Sequence, residues 1–373
     1  MKLKWSGVAV LAVFAGAAHA QSSVTLYGAI DSGLIYQSTS ASSFSPTARN
    51  NGHLFGYKDA GIYSSFWGIK GTEDIGGGYR VNFRLQGVFN SGSGKLGLAN
   101  TTGGTAVFNQ QATVGLSGPF GSFDAGQQFT PMIYAMADTD VRGAQYFGSI
   151  LSAWLGLNQV AGWPGTNTNV PLGALYDGNA LVYQSPKFYG VSAALEYAPG
   201  GVPGQIQGGT RESAVLKYSN YGLNLSAVYY NAHDTNLAAA APTGLDNNRL
   251  YYFGAKYTFR GISVSASYGI GRNPSNTKLA DYEMISGGLG YQFSPFFRIT
   301  SGFYYLKDRN NSANHSSEYA VGAEYSLSKR TTVYAQVGYV ANRGTMNQTI
   351  TYGEPVAPGV STTAAMLGLR HSF

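Results

Sequence analysis

The chain has 373 residues and a formal charge of +6, yet only 11% of its residues are charged, while Gly (51) and Tyr (28) are abundant and Cys is absent. Gly weakens helices, and Tyr and Val prefer extended backbone, so the composition disfavours a helical fold. The missing Cys excludes thiol catalysis and Cys-ligated metal, and a mean hydropathy of −0.11 excludes both a helical membrane protein and a charged disordered one.

Residues 1–20 read as a secretory leader. Lys2 and Lys4 precede an apolar run from Val8 to Ala17, and Ala18-His19-Ala20 has the small-residue spacing of a cleavage site. The run is too short for a spanning helix. Cleavage would start the mature chain at Gln21, and the loss of two lysines would take the formal charge from +6 to +4.

Sixteen segments of alternating polarity follow: 24–36, 62–71, 79–89, 109–117, 121–127, 179–185, 190–198, 212–219, 223–231, 249–259, 262–271, 282–293, 297–306, 317–326, 331–341 and 361–373. In 251–259, Tyr, Phe, Ala, Tyr and Phe alternate with Tyr, Gly, Lys and Thr. Period two makes each segment a strand with one apolar face. Most have the length of a tilted strand crossing a bilayer.

The gaps alternate too. Thr72–Gly78, Asn220–Gly222, Arg260-Gly261 and Ser294–Phe296 are short, whereas 37–61, 90–108, 128–178, 232–248 and 342–360 are long and rich in Asn, Ser, Gly and Thr. Aromatic residues such as Phe120, Tyr189, Tyr221, Phe259 and Phe296 flank the short turns, as amphipathic rings do at a membrane–water boundary. The pattern predicts an all-β fold: a 16-stranded antiparallel transmembrane β-barrel over 21–373, with short periplasmic turns and long extracellular loops. Its apolar face meets lipid and its polar face lines a water-filled lumen. Only closure of the last strand on the first removes the two open edges.

Four stretches carry a family resemblance: Gln21-Ser-Ser-Val-Thr-Leu-Tyr-Gly-Ala-Ile-Asp31, Trp67-Gly-Ile-Lys-Gly-Thr-Glu-Asp-Ile-Gly-Gly-Gly78, Val114-Gly-Leu-Ser-Gly-Pro-Phe-Gly121 and Gly368-Leu-Arg-His-Ser-Phe373. End to end, the chain resembles the trimeric general porins of Gram-negative bacteria. The resemblance implies a homotrimer, passive diffusion of small polar solutes, a third long loop folded inward to narrow the pore, and a terminal Phe373 read by the barrel-assembly machinery. Lipid and lipopolysaccharide of the outer membrane are the other expected partners, and loop 90–108 is a candidate latch onto a neighbour. The runner-up readings are a substrate-selective channel for a sugar or small organic anion, and a plugged barrel serving as adhesin or enzyme.

The third long gap, 128–178, fits the inward loop and carries Asp138, Asp140, Arg142, Trp154 and Trp163. Relatives place arginines at three wall positions that are Phe66, Gln127 and Gln184 here, so the usual basic cluster is depleted. Arg80 and Arg84 are the expected substitutes. In Tyr79–Gln86, the apolar Val81, Phe83 and Leu85 must face out, because a charge on the lipid face near mid-bilayer costs about 2–4 kcal/mol. The same parity turns Lys70, Lys217, Lys256, Arg298 and Arg370 inward, along with Asp31, Asp124, Glu196 and Glu324. Seven basic residues against four acidic ones imply a mild anion preference, although Lys70, Lys256, Arg298 and Arg370 are expected near the short-turn end, and Asp138 and Asp140 oppose it.

Other chemistry finds little footing. His53, His233 and His315 fall in long loops and His371 beside the terminus, with no nucleophile elbow near any of them. Gly92-Ser-Gly-Lys95 lacks the spacing of a phosphate loop. Asp138-Thr-Asp-Val-Arg-Gly143 starts like a calcium loop, but Arg142 stands where an acid or amide belongs. No run of Lys and Arg suggests nucleic acid, and no cofactor or metal site is expected. Trp154 and Trp163 are expected to pack the loop against the wall.

Overall fold

The computed structural model describes residues 23–97, 106–163, 170–235, 244 and 246–373. The leader lies outside them. Seventeen strands form one antiparallel sheet: β1 (Ser23–Ser40), β2 (Gly52–Asp59), β3 (Phe66–Gly76), β4 (Tyr79–Val88), β5 (Gln111–Gly118), β6 (Gly121–Phe129), β7 (Tyr176–Gln184), β8 (Val191–Ala198), β9 (Arg211–Asn220), β10 (Leu223–His233), β11 (Asn247–Phe259), β12 (Ile262–Arg272), β13 (Asp281–Ser294), β14 (Phe297–Asp308), β15 (His315–Ser326), β16 (Thr331–Asn342) and β17 (Thr362–Ser372). From β3 onward each strand pairs with the next, and β17 closes on β1 with Gly33 opposite Gly368. The result is a closed 16-stranded barrel with one extra strand.

The short turns explain the tight end of the barrel. Arg260 and Gly261 have φ of 48° and 85°, Tyr221 and Gly222 have 49° and 78°, and Tyr189 and Gly190 have 48° and 89°. Two successive positive φ values give a turn whose twist matches that of the flanking strands. Glycine takes the second position at no steric cost.

The extra strand lies in a gap expected to be a loop. β1 is 18 residues long and serves two partners on one side. Its first part pairs with β3, Tyr27 opposite Gly68, and its second part with β2, Leu34 opposite Tyr57. Residues 60–65 join β2 to β3 by leaving the wall as an inward tongue. The alternation of β2 over Gly52–Asp59 is short and broken by Gly52 and Gly56.

The outer wall is apolar, with Val264, Leu289, Val321, Val337 and Leu367 exposed. The lumen, however, is not wet throughout. The long connection after β6 folds inside the barrel as helices α1 (Pro131–Asp138) and α2 (Ile150–Val160). Helix α1 lies along β8–β11 and α2 along β13 and β14. Met132, Met136, Leu151 and Trp154 of this loop bury against Tyr230, Leu250, Tyr252 and Leu306 of the wall. That half of the inward face is a true apolar core, whereas the alternation alone implied water.

Candidate channel and its constriction

The inward loop is fastened by residues expected to face the pore. Arg142 is almost wholly buried. Its guanidinium donates to the carbonyl oxygens of Gly148, of Phe147 (2.9 Å) and of Thr300 (3.3 Å), and to Oε1 of Gln336 (2.6 Å). Asp140 is buried too: Oδ1 accepts from the Tyr304 hydroxyl (2.9 Å) and Oδ2 from Ile150 N (3.1 Å). These geometries correct the expectation of a water-facing Asp140 and Arg142. Both charges are spent on tying the loop to β14 and β16. Ser149 caps α2 by accepting from Leu151 N (3.0 Å), and Ser152 donates to Glu318 on β15 (2.8 Å). Trp154 packs the loop as expected, with its indole N–H donating to Leu172 O (2.7 Å). Trp163 lies 5.8 Å from the Phe44 ring.

Asp31 is corrected in the same way. It is fully buried, and its carboxylate accepts from the backbone N–H of Gly61, Ile62 and Tyr63 at 3.0–3.1 Å, from the Tyr334 hydroxyl (2.6 Å) and from Arg370 (3.3 Å). It therefore holds the tongue in the lumen. There the Tyr63 hydroxyl donates to Gly143 O (2.8 Å) and Tyr146 N to Ile62 O (2.9 Å). The last long loop joins them, through Tyr352 N to Tyr146 O (2.9 Å) and Gly148 N to Ile350 O (2.7 Å). Tongue, inward loop and last loop thus form one hydrogen-bonded bridge.

Open space remains beside β3–β9. One luminal cleft of about 300 Å³ is lined by Lys70, Arg84, Asp124, Gln128, Tyr134 and Gln184. A second of about 350 Å³ adjoins it, sharing Tyr134 and Gln184 and reaching Asp138 and Lys217. A third, of about 340 Å³, is lined by Lys58, Tyr146, Trp163, Tyr352 and Glu354, from the long-loop side. Most luminal charges are matched: Lys217 with Asp138, Arg298 with Glu324 (2.7 Å), Arg370 with Asp31 and Lys58 with Glu354 (3.3 Å). Lys256 donates to the backbone oxygen of Asp140 (3.1 Å).

Lys70 and Arg84 differ. They stand directly opposite each other in the β3–β4 register, where like charges destabilise a sheet. Neither forms an ion pair among the described residues; Arg84 donates to Gln111 Oε1 (3.2 Å), and Lys70 Nζ lies 5.1 Å from the Tyr27 ring centre. Lys70 was expected lower in the barrel, away from any constriction. It shares a row with Arg84, so that expectation is corrected.

The remaining candidates scatter. Arg80 sits at the short-turn end, 3.9 Å from Asp74. Phe66 packs edge-on to Tyr27 at 5.9 Å. Gln127 donates to Asn109 O (3.0 Å), because a register shift between Gly126 and Gln128 puts Gln128 in the cleft instead. Glu196 is buried, as is Asp177, which Arg211 pairs at 2.7 Å and the Tyr230 hydroxyl at 2.5 Å. Gln184 lines both lower clefts. His233 is not solvated: Nδ1 lies 2.8 Å from Gly244 O and Nε2 2.9 Å from Asn231. No group of three His, Asp or Glu residues among the described ones is placed to hold a metal.

Comparison with known proteins gives a consistent picture. A family model described as Gram-negative porin matches residues 7–345. An outer membrane porin protein of Bordetella pertussis is 26% identical over the full length of both chains. Among solved structures, an anion-selective porin from Comamonas acidovorans superposes with a TM-score of 0.76 at 22% identity, covering 94% of this chain and 100% of that one. An outer membrane protein of Vibrio cholerae in a trimer form has a TM-score of 0.66 at 14% identity, covering 94% and 99%.

Proposed function

The chain belongs to the Gram-negative porin family, and from that premise we propose that its channel prefers anions through Lys70 and Arg84. The protein is an outer-membrane porin that lets small hydrophilic solutes diffuse through a water-filled barrel. Size exclusion comes from the inward loop over 128–178, which leaves clefts rather than an open cylinder. The observation that carries the anion preference is the unpaired doublet of Lys70 and Arg84 opposite each other on the wall. The other luminal cations are neutralised by carboxylates or tied to backbone, and Asp124 alone opposes the doublet within its cleft. Water-filled constrictions read such fixed charges directly. Gln184 and the Asp138–Lys217 pair border the same path and set its polarity. Arg80 lies at its exit and adds little.

Two partners follow. The chain assembles as a homotrimer, a reading supported by the trimer form of the Vibrio cholerae structure. Phe373, whose backbone exchanges hydrogen bonds with Gly28 at 3.0 and 3.2 Å, is the terminal signal for barrel assembly. The test of the anion preference is the reversal potential of the purified porin in a planar bilayer under a potassium chloride gradient. A value on the chloride side of zero supports the doublet; a value on the potassium side rejects it.

A further inference from the structure

We propose that the outer wall at β9–β12 seats one phosphorylated outer-membrane lipid, with Arg249 and Arg272 holding its headgroup. The two arginines stand directly opposite each other in the β11–β12 register, at the long-loop end. Parity puts them on the outer face. They share it with Tyr251, Phe253 and Tyr268, while Leu250, Tyr252 and Gly271 are buried on the inner one. Like charges so placed destabilise a sheet, and among the described residues neither arginine has an ion-pair partner. Arg249 Nε donates to Asn231 Oδ1 (3.3 Å), and the Arg272 guanidinium lies 5.9 Å from the Tyr251 ring centre. The nearest acids are turned elsewhere. Asp281, beside Arg272, lies 3.7 Å from Arg309, and Glu212, two strands from Arg249, lies 3.9 Å from the His233 ring. Lys307 on the same rim has Glu283 opposite it.

The wall beneath the doublet has the layers of a lipid. One row down, Tyr229 and Tyr251 pair across β10 and β11, their ring centres 5.5 Å apart. Tyr221, Tyr257 and Phe259 are exposed at the short-turn end of the same strands. Two ring belts bracketing an apolar band mark a wall that faces lipid. Within the band lies a depression of about 360 Å³, lined by Val191, Leu216, Tyr218, Leu225, Ala227 and Phe253. Its low point is Ala227, with Leu216 and Phe253 on either side in register. Phe253 follows Arg249 by four residues, about 13 Å along the strand, so an acyl chain hung from a headgroup at the doublet reaches the depression.

The chemistry of the doublet selects phosphate. A tetrahedral phosphate offers oxygens to two guanidinium forks at once, whereas one bidentate fork fills both oxygens of a carboxylate. The position selects a phosphate carried by a lipid, because the tyrosine pair and the apolar depression continue directly below it. Basic residues at a membrane surface hold anionic headgroups in this way. The seat lies outside the pore, so it is independent of the channel's ion selectivity.

The test titrates the folded, full-length porin in detergent with lipid A and counts bound lipid by native mass spectrometry. Lipid A carrying both phosphates is expected to bind more tightly than the same lipid stripped of them. Equal binding of the two forms overturns the proposal and needs no variant. Arg249→Gln and Arg272→Gln should each weaken the phosphorylated form about fivefold, and the double variant about thirtyfold. Lys307→Gln should leave binding unchanged. A double variant that binds as the unaltered porin does, or a Lys307→Gln loss as large as that of the double variant, also overturns it. Inorganic phosphate separates the two sources of the anion. It should displace the lipid only at concentrations far above that of the lipid; displacement at equal concentration makes this a site for free phosphate and rejects the lipid. Conductance and reversal potential of the double variant should match those of the unaltered porin, which shows that the barrel is intact. A changed reversal potential would place the doublet in the pore and overturn the outer-face assignment.

Discussion

Arg84→Glu is the sharpest perturbation of the selectivity account. In the cleft, Lys70 and Arg84 outweigh Asp124 by one positive charge, and the substitution turns that surplus into one negative charge. For an ion passing about 7 Å from the guanidinium, Coulomb's law in water gives about 0.6 kcal/mol per unit charge, hence about 1.2 kcal/mol for the swap. Screening at roughly 0.1 M salt, where the Debye length is about 10 Å, halves it to about 0.6 kcal/mol. The anion loses this and the cation gains it, so the permeability ratio moves by about 1.2 kcal/mol, or about sevenfold. The assay is the reversal potential of the reconstituted channel in a salt gradient, which should change sign. The shift should shrink at roughly 1 M salt, where the Debye length is about 3 Å. A reversal potential equal to that of the unaltered protein in low salt would remove Arg84 from the filter.

Other substitutions separate filter from scaffold. Asp138→Asn frees Lys217 from its ion pair and should raise anion preference by about threefold at low salt, half the free-energy change of the charge reversal; a shift toward cations contradicts this. Asp31→Asn breaks the carboxylate that holds the tongue and pairs Arg370, so stability should fall by about 3–5 kcal/mol. Unheated gels should show unfolding at a lower temperature, and an altered selectivity at full stability would return Asp31 to the pore. Arg142→Met leaves the carbonyls of Phe147, Gly148 and Thr300 short of a buried donor, at about 1–3 kcal/mol each. The inward loop should loosen, and single-channel records should show larger, noisier openings; quiet openings of normal size tell against Arg142 as its fastener.

The barrel was legible because lipid imposes a period of two on every strand. The turn asymmetry survived too, since short turns need residues such as Gly222 and Gly261 at fixed places. Parity turned Arg84 inward for a reason visible in Val81, Phe83 and Leu85. What parity cannot supply is depth or partner. Lys70 and Arg84 meet because of the β3–β4 register, which no local pattern encodes. Asp140 and Arg142 are buried by Tyr304, Thr300 and Gln336, all more than 150 residues away in the chain by the numbering. A single irregularity after Gly126 exchanged Gln127 for Gln128. The extra strand carries only a weak signal in the sequence, because Gly52 and Gly56 interrupt its alternation and the stretch before it is dense in Asn and Ser.

The central claim is that a wet path runs past the inward loop through this barrel, and single-channel conductance of the refolded porin in a planar bilayer tests it most directly. The account predicts discrete, ohmic current steps that persist at low voltage, with a reversal potential displaced toward chloride. A protein that inserts into the bilayer and passes no current would contradict it.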